Sequence, residues 1–112
     1  MKNSELYKGS LITIILKLLN EHDKMYGYEI TKRVKEITKG ELQITEGALY
    51  PSLHKLQAQG FLDVEVVNIG KRQRKYYELT EEGTRETIKK LAELEHYIKT
   101  MRALVNPKFR MA

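Results

Sequence analysis

Apolar side chains stand at Leu11, Ile12, Ile15, Leu16, Leu18 and Leu19, with Lys8 and Lys17 outside the face they form. That spacing predicts a helix over 6–19 with a wide buried arc. Asn20 to Lys24 is polar and interrupts the pattern. Tyr26, Ile30, Val34 and Ile37 then recur at helical steps, predicting a second helix over 26–38 with Gly40 at its C-terminal cap. A third runs from Thr45, which has an N-capping side chain, to about Gln59, just before Gly60. Its apolar stripe is Leu49, Leu53 and Leu56. Pro51 lies inside it, and the carbonyl its ring meets belongs to Gly47, the least crowded residue type, so a distorted helix is expected rather than a break.

The period changes after Gly60. Phe61–Val67 is rich in β-branched residues and reads as a strand, Asn68-Ile69-Gly70 as a turn, and Gln73–Leu79 as the returning strand. Thr80 with Glu81 and Glu82 starts a last helix, placing acidic groups at the positive end of its dipole. That helix runs to Val105, where Asn106-Pro107 stops it. Leu91, Leu94, Ile98, Met101 and Val105 step by three and four along it, a heptad seam for dimerisation. The fold class is therefore mainly α within an α+β plan. It is a winged helix-turn-helix in the order α-α-α-β-β-α, whose C-terminal helix is an arm of roughly 37 Å. Residues 1–80 are expected to form the winged domain, 81–106 the dimerisation helix, and 107–112 a disordered tail. Three helices and a hairpin would close a small core. Leu94, Ile98, Met101 and Val105 would then stay in water unless a second copy covered them.

Composition narrows the chemistry. The 112 residues include no cysteine, which removes disulfides, thiolate zinc sites and cysteine nucleophiles, and fits a reducing, cytoplasmic compartment. The longest apolar run, Leu11–Leu19 broken by Lys17, is too short to span a bilayer, and no membrane partner is expected. His22, His54 and His96 lie on separate segments, and no nucleophilic triad order, glycine-rich phosphate loop or metal-ligand spacing occurs. Neither an enzyme nor a bound metal or cofactor is expected.

The net charge of +5 and the isoelectric point near 9.4 favour a polyanionic partner. Lys71, Arg72, Arg74 and Lys75 cluster beside the hairpin turn, where cations can follow phosphates or enter a minor groove. Edge cations also deter strand pairing, but four exceed what that requires. With the leucine stripe of the third helix turned inward, Gly47, Pro51, His54 and Lys55 point outward, and Tyr50 sits on the shoulder. Lys55 can reach a phosphate or guanine edge, and His54 and Tyr50 offer hydrogen bonds or stacking. Thr45 and the first free amides can meet a phosphate, and Gly47 permits close approach. Each residue alone reads slightly better as packing or as a solvated face. Together with the wing they favour duplex DNA.

Three stretches carry a resemblance: Y-G-Y-E-I at 26–30, E-G-A-L-Y-P-S-L-H-K-L at 46–56 and R-K-Y-Y-E-L-T-E-E-G at 74–83. In order and spacing the chain resembles the PadR family of bacterial transcriptional regulators over roughly residues 6–105, and in particular its short subclass with a single C-terminal helix. The resemblance implies a homodimeric repressor of a stress- or drug-response operon. It places Tyr50, Pro51, His54 and Lys55 on the groove-reading helix and the four bases on the wing, with Tyr26 and Tyr28 at the start of the supporting helix. Drug-binding members stack planar ligands on a tryptophan of the C-terminal helix, in a pore at the dimer centre. This chain has no tryptophan and carries Leu91 and Leu94 there, which argues against a flat aromatic effector and leaves room for another small molecule at the dimer interface. A two-fold dimer would read a palindromic operator with half-sites about one helical turn, 10–10.5 base pairs, apart. The alternative is a winged helix that engages protein or RNA without specific duplex binding, since fold does not decide function.

Overall fold

Tyr77, 1% exposed, stands at the centre of the core, with Ile15, Leu16, Ile30, Leu49, Leu53, Leu56 and Leu62 around it. The structure, a computed structural model, describes residues 4–106, so the tail expected over 107–112 lies outside the described residues. The elements are α1 (Ser4–Lys8), α2 (Leu11–Glu21), β1 (Met25–Tyr26), α3 (Gly27–Ile37), α4 (Glu46–Ala58), β2 (Leu62–Ile69), β3 (Arg72–Leu79) and α5 (Glu81–Val105). The strands form an antiparallel sheet in the order β1-β3-β2. This is the winged helix-turn-helix plan: α3 and α4 are the helix pair, and β2 with β3 is the wing.

Three local expectations need correction. The helix predicted over 6–19 is two helices, because the chain turns at Gly9 and Ser10. There the Ser10 N–H and hydroxyl both donate to the Tyr7 carbonyl, at 2.9 and 3.1 Å, a local bond that competes with the helix ladder. A strand precedes α3 that no periodicity announces, since two residues have no period. Its register pairs Met25 with Tyr77 and Tyr26 with Tyr76. The hairpin turn is Gly70-Lys71, not Asn68-Ile69-Gly70. Ile69 pairs with Arg72, so both strands run closer to the tip than expected. Gly70 takes φ +62° at the first turn position, where a two-residue hairpin of this kind needs glycine.

The helix ends follow side-chain chemistry. Thr45 caps α4 by accepting from the Ala48 N–H at 3.2 Å, and α4 runs unbroken through Pro51. The missing Pro51 N–H removes a single ladder bond, to the carbonyl of exposed Gly47. At the end of α3, Lys39 is left-handed at φ +53° and precedes Gly40. The Gly40 N–H bonds to the Lys35 carbonyl and the Lys39 N–H to that of Glu36, a Schellman closure one residue earlier than Gly40 alone would place it.

The first turns of the long helix are tied to the residues between α4 and β2. The Thr80 hydroxyl accepts from the Gly83 N–H at 2.9 Å and donates to the Gly60 carbonyl at 2.7 Å, while the Thr80 N–H donates to the Phe61 carbonyl at 3.0 Å. Gly83 is buried against that same Phe61 carbonyl, in space a β-carbon would occupy. Thr87, also buried, donates its hydroxyl to the Gly83 carbonyl at 2.7 Å. Beyond Leu94 the helix leaves the body, and the molecule extends 69 × 28 × 20 Å. Among the described residues, no helix is long and apolar enough to cross a membrane.

Two glycines test this packing against intrinsic helix propensity. Gly83→Ala should cost about 1–3 kcal/mol through the overpacked contact with Phe61. Gly47→Ala, where a β-carbon meets only the Thr45 hydroxyl at 4.0 Å, should gain up to about 1 kcal/mol. Urea denaturation of both variants reads the two signs.

Candidate nucleic-acid interface

Burial of Leu49, Leu53 and Leu56 turns the opposite side of α4 outward. Gly47, Tyr50, Pro51, His54 and Lys55 are all exposed there. Thr45 is exposed too, with its hydroxyl oxygen engaged as the cap. Tyr50 is only 37% exposed, and its ring lies on Gly27 at the start of α3. A β-carbon on Gly27 would meet the Tyr50 hydroxyl at 2.5 Å and the ring carbon Cζ at 2.9 Å. The glycine of the Y-G-Y stretch is therefore a seat for a tyrosine two dozen residues along the chain. Tyr50 serves as both packing and surface.

The wing distributes its cations by strand alternation. Lys71 is in the turn and exposed, as are Arg72 and Lys75. Arg72 and Arg74 share one face of β3, opposite Ile69 and Val67 of β2, whereas Lys75 stands on the other face, opposite Val66. Arg74 is not at the tip. It is half-buried, with its guanidinium carbon 4.0 Å from the centre of the Tyr26 ring. The neighbouring Tyr76 and Tyr26 phenols favour its charged form and raise the guanidinium's already high pKa. Tyr26 meets Tyr76 edge-on at 5.5 Å and stacks with Tyr28 at 6.4 Å.

Between α4 and the wing runs a groove of about 350 Å³, lined by Tyr26, Gly27, Tyr50, His54, Gln73, Arg74, Lys75 and Tyr77. Burial pushes the Tyr77 phenol above its ordinary pKa. The structure thus brings Tyr50, His54, Arg74 and Lys75 to one place. Lys71 and Arg72 sit farther out on the hairpin, and Gly47 and Lys55 lie outside the groove on the exposed side of α4. The ion pair Lys24–Glu65 (2.6 Å) beside the sheet is exposed and screened by solvent.

Sequence reasoning passed over Gln73, whose strand parity with Lys75 and Tyr77 was the available signal. It also passed over the exposed Lys32, Lys35 and Lys39, which step by three and four along one side of α3 and its cap. The five residues of the C-terminal seam do not share one environment. Leu91 and Leu94 are half-buried and line an apolar groove with Ile14, Leu18 and Val34 of their own subunit. Met101 is partly covered, while Ile98 and Val105 stand 45% and 65% exposed.

With this geometry in hand, comparison with known proteins gives a consistent result. Residues 15–89 match the profile of the "Transcriptional regulator PadR-like family". The chain is similar to "Uncharacterized protein X" of Lysinibacillus sphaericus, with 35% identity over 104 residues that cover 88% of this chain and 93% of that one. A transcriptional regulator from Clostridium thermocellum shares its fold at a TM-score of 0.83 and 32% identity, over 91% of this chain and 99% of that one. Bacillus subtilis PadR in complex with operator DNA aligns at a TM-score of 0.65 and 32% identity, over 72% of this chain and 45% of the other.

The seating of Tyr50 can be checked by a mutant cycle. Gly27→Ala alone should destabilise the fold by about 1–3 kcal/mol, and most of that cost should vanish in a Tyr50→Ala background, with both read by thermal unfolding.

Proposed function

The chain belongs to the PadR-like family of transcriptional regulators, and from that membership we propose that it is a homodimeric repressor of a stress- or drug-response operon, reading a palindromic operator. The family is regulatory rather than enzymatic. One observation carries the proposal: the outward side of α4 and the cations of the wing open on a common groove, with Tyr50 and His54 on one wall and Arg74 and Lys75 on the other. In this reading α4 enters the major groove with Tyr50, Pro51, His54 and Lys55 towards base edges. Gly47 lets the duplex approach, and Thr45 with the first amides of α4 meets a phosphate. Lys71, Arg72, Arg74 and Lys75 take the flanking backbone.

Dimerisation is supported by the arm. Ile98 and Val105 are 45% and 65% exposed on the side of α5 that carries Met101, an apolar stripe that water covers at a cost and a second copy would bury. Leu91 and Leu94 would join it with the part of their surface that α2 leaves uncovered, and Met101 with its partly covered side. A small-molecule effector would enter at this interface. The neighbouring groove of about 280 Å³ is bordered by aliphatic side chains, which suits a compact apolar molecule.

The test is binding to the promoter upstream of the chain's own gene, followed by fluorescence anisotropy across a salt series. Preference for a palindrome and a steep loss of affinity with salt are expected. Replacing both Lys71 and Arg72 by Ala should weaken binding to every sequence and flatten the salt slope by about two. His54→Ala should change sequence preference more than affinity for random duplex. If wild type and both variants bind alike, the assignment of the interface fails. Ile98→Asp should sediment as a monomer and lose the full palindrome. A monomer that still binds it tightly would remove the seam from the account.

A further inference from the structure

Arg74 packs on the ring of Tyr26. The Tyr26 backbone is pinned twice. It pairs with Tyr76 across β1 and β3, and its N–H donates to the Glu29 carboxylate at 3.0 Å. Its ring is held edge-on by Tyr76 and stacked by Tyr28. The guanidinium carbon of Arg74 lies 4.0 Å above that ring. Stacking on a π face uses the flat side of a guanidinium and leaves its N–H donors free in the plane, where they match a phosphate bidentately. A guanidinium carries five such donors, and the ring takes none of them. Lysines at a wing tip, by contrast, must surrender their rotamer freedom on binding.

We propose that Tyr26 is a positioning residue that holds Arg74 ready for a backbone phosphate of the duplex, making Arg74 rather than the tip lysine the wing's anchor. The proposal rests on the duplex-binding reading above. It assigns Tyr26 a part in binding although Tyr26 itself need not touch DNA. Arg74 itself borders the groove that α4 lines with Tyr50 and His54, so a phosphate anchored at that border would join wing and reading helix on a single stretch of backbone.

The experiment uses the full chain and a labelled 30-base-pair mixed-sequence duplex at low salt, with Kd followed across a salt series. Tyr26→Leu should weaken binding roughly three- to tenfold, the cost of ordering one long side chain on binding. Tyr26→Phe, which keeps the ring, should stay within about twofold of wild type. Arg74→Ala should weaken binding further and flatten the salt slope by about one. In the Arg74→Ala background, Tyr26→Leu should change nothing. Arg74→Lys should keep the slope but lose about threefold in affinity, because the charge survives and the planar fork does not; this variant reads the proposal even if Tyr26→Leu fails to fold. The proposal is overturned if Tyr26→Leu costs the same with and without Arg74, or if Arg74→Ala or Arg74→Lys binds like wild type. Should the wild-type chain ignore duplex altogether, it is the broader reading that falls.

Discussion

Everything on the exposed side of α4 follows from the burial of Leu49, Leu53 and Leu56, at 0%, 0% and 1% exposure. Three leucines at helical spacing leave the helix no rotational freedom about its axis, since a turn of one residue would put at least one of them in water, at about 1.5–3 kcal/mol apiece. Apolar packing therefore sets which polar groups face outward. The chemistry of the surface is a consequence of the core. The same logic extends to the wing, where buried Tyr77 fixes the parity of β3 and so sets Gln73 and Lys75 on one face and Arg72 and Arg74 on the other.

Tight contacts at two glycines join these parts. Gly27 admits the Tyr50 ring and so closes α3 on α4. Gly83 admits the Phe61 carbonyl and so closes α5 on the start of β2. Neither requires an unusual backbone angle. Both are required for space, and both fall within the short stretches that mark the family, Y-G-Y-E-I and T-E-E-G. Aromatic groups supply the remaining link between wing and helix pair through Tyr26, Tyr28 and Tyr76.

Most of the plan was legible in the sequence because most of it is periodic. The leucine stripe of α4, the Thr45 and Thr80 caps and the full span of α5 follow from spacing and side-chain chemistry, and the structure places them as expected. What escaped was either too short to have a period, as with β1, or decided by a local hydrogen bond, as at Gly9 and Ser10. The hairpin turn was misplaced because Asn68 and Ile69 look like turn and strand residues in equal measure, and only pairing with Arg72 and Gln73 resolves them. For the site, composition located the four bases of the wing but could not reveal that Arg74 folds back on Tyr26. That contact joins residues nearly fifty positions apart, and a single chain read in isolation carries no trace of it.

The long helix has a mechanical consequence. Its first turns are clamped by the Thr80 cap, the Gly83 contact and buried Thr87, while its last turns stand free, which makes it a lever with its fulcrum at the body. Over the roughly 27 Å from Thr87 to Val105, a tilt of about 5° at the fulcrum displaces the far end by about 2 Å, approaching half a helical turn. Small repacking beside α2 is thereby amplified at the tip, and any assembly built on that tip inherits its geometry from a handful of atoms around Phe61.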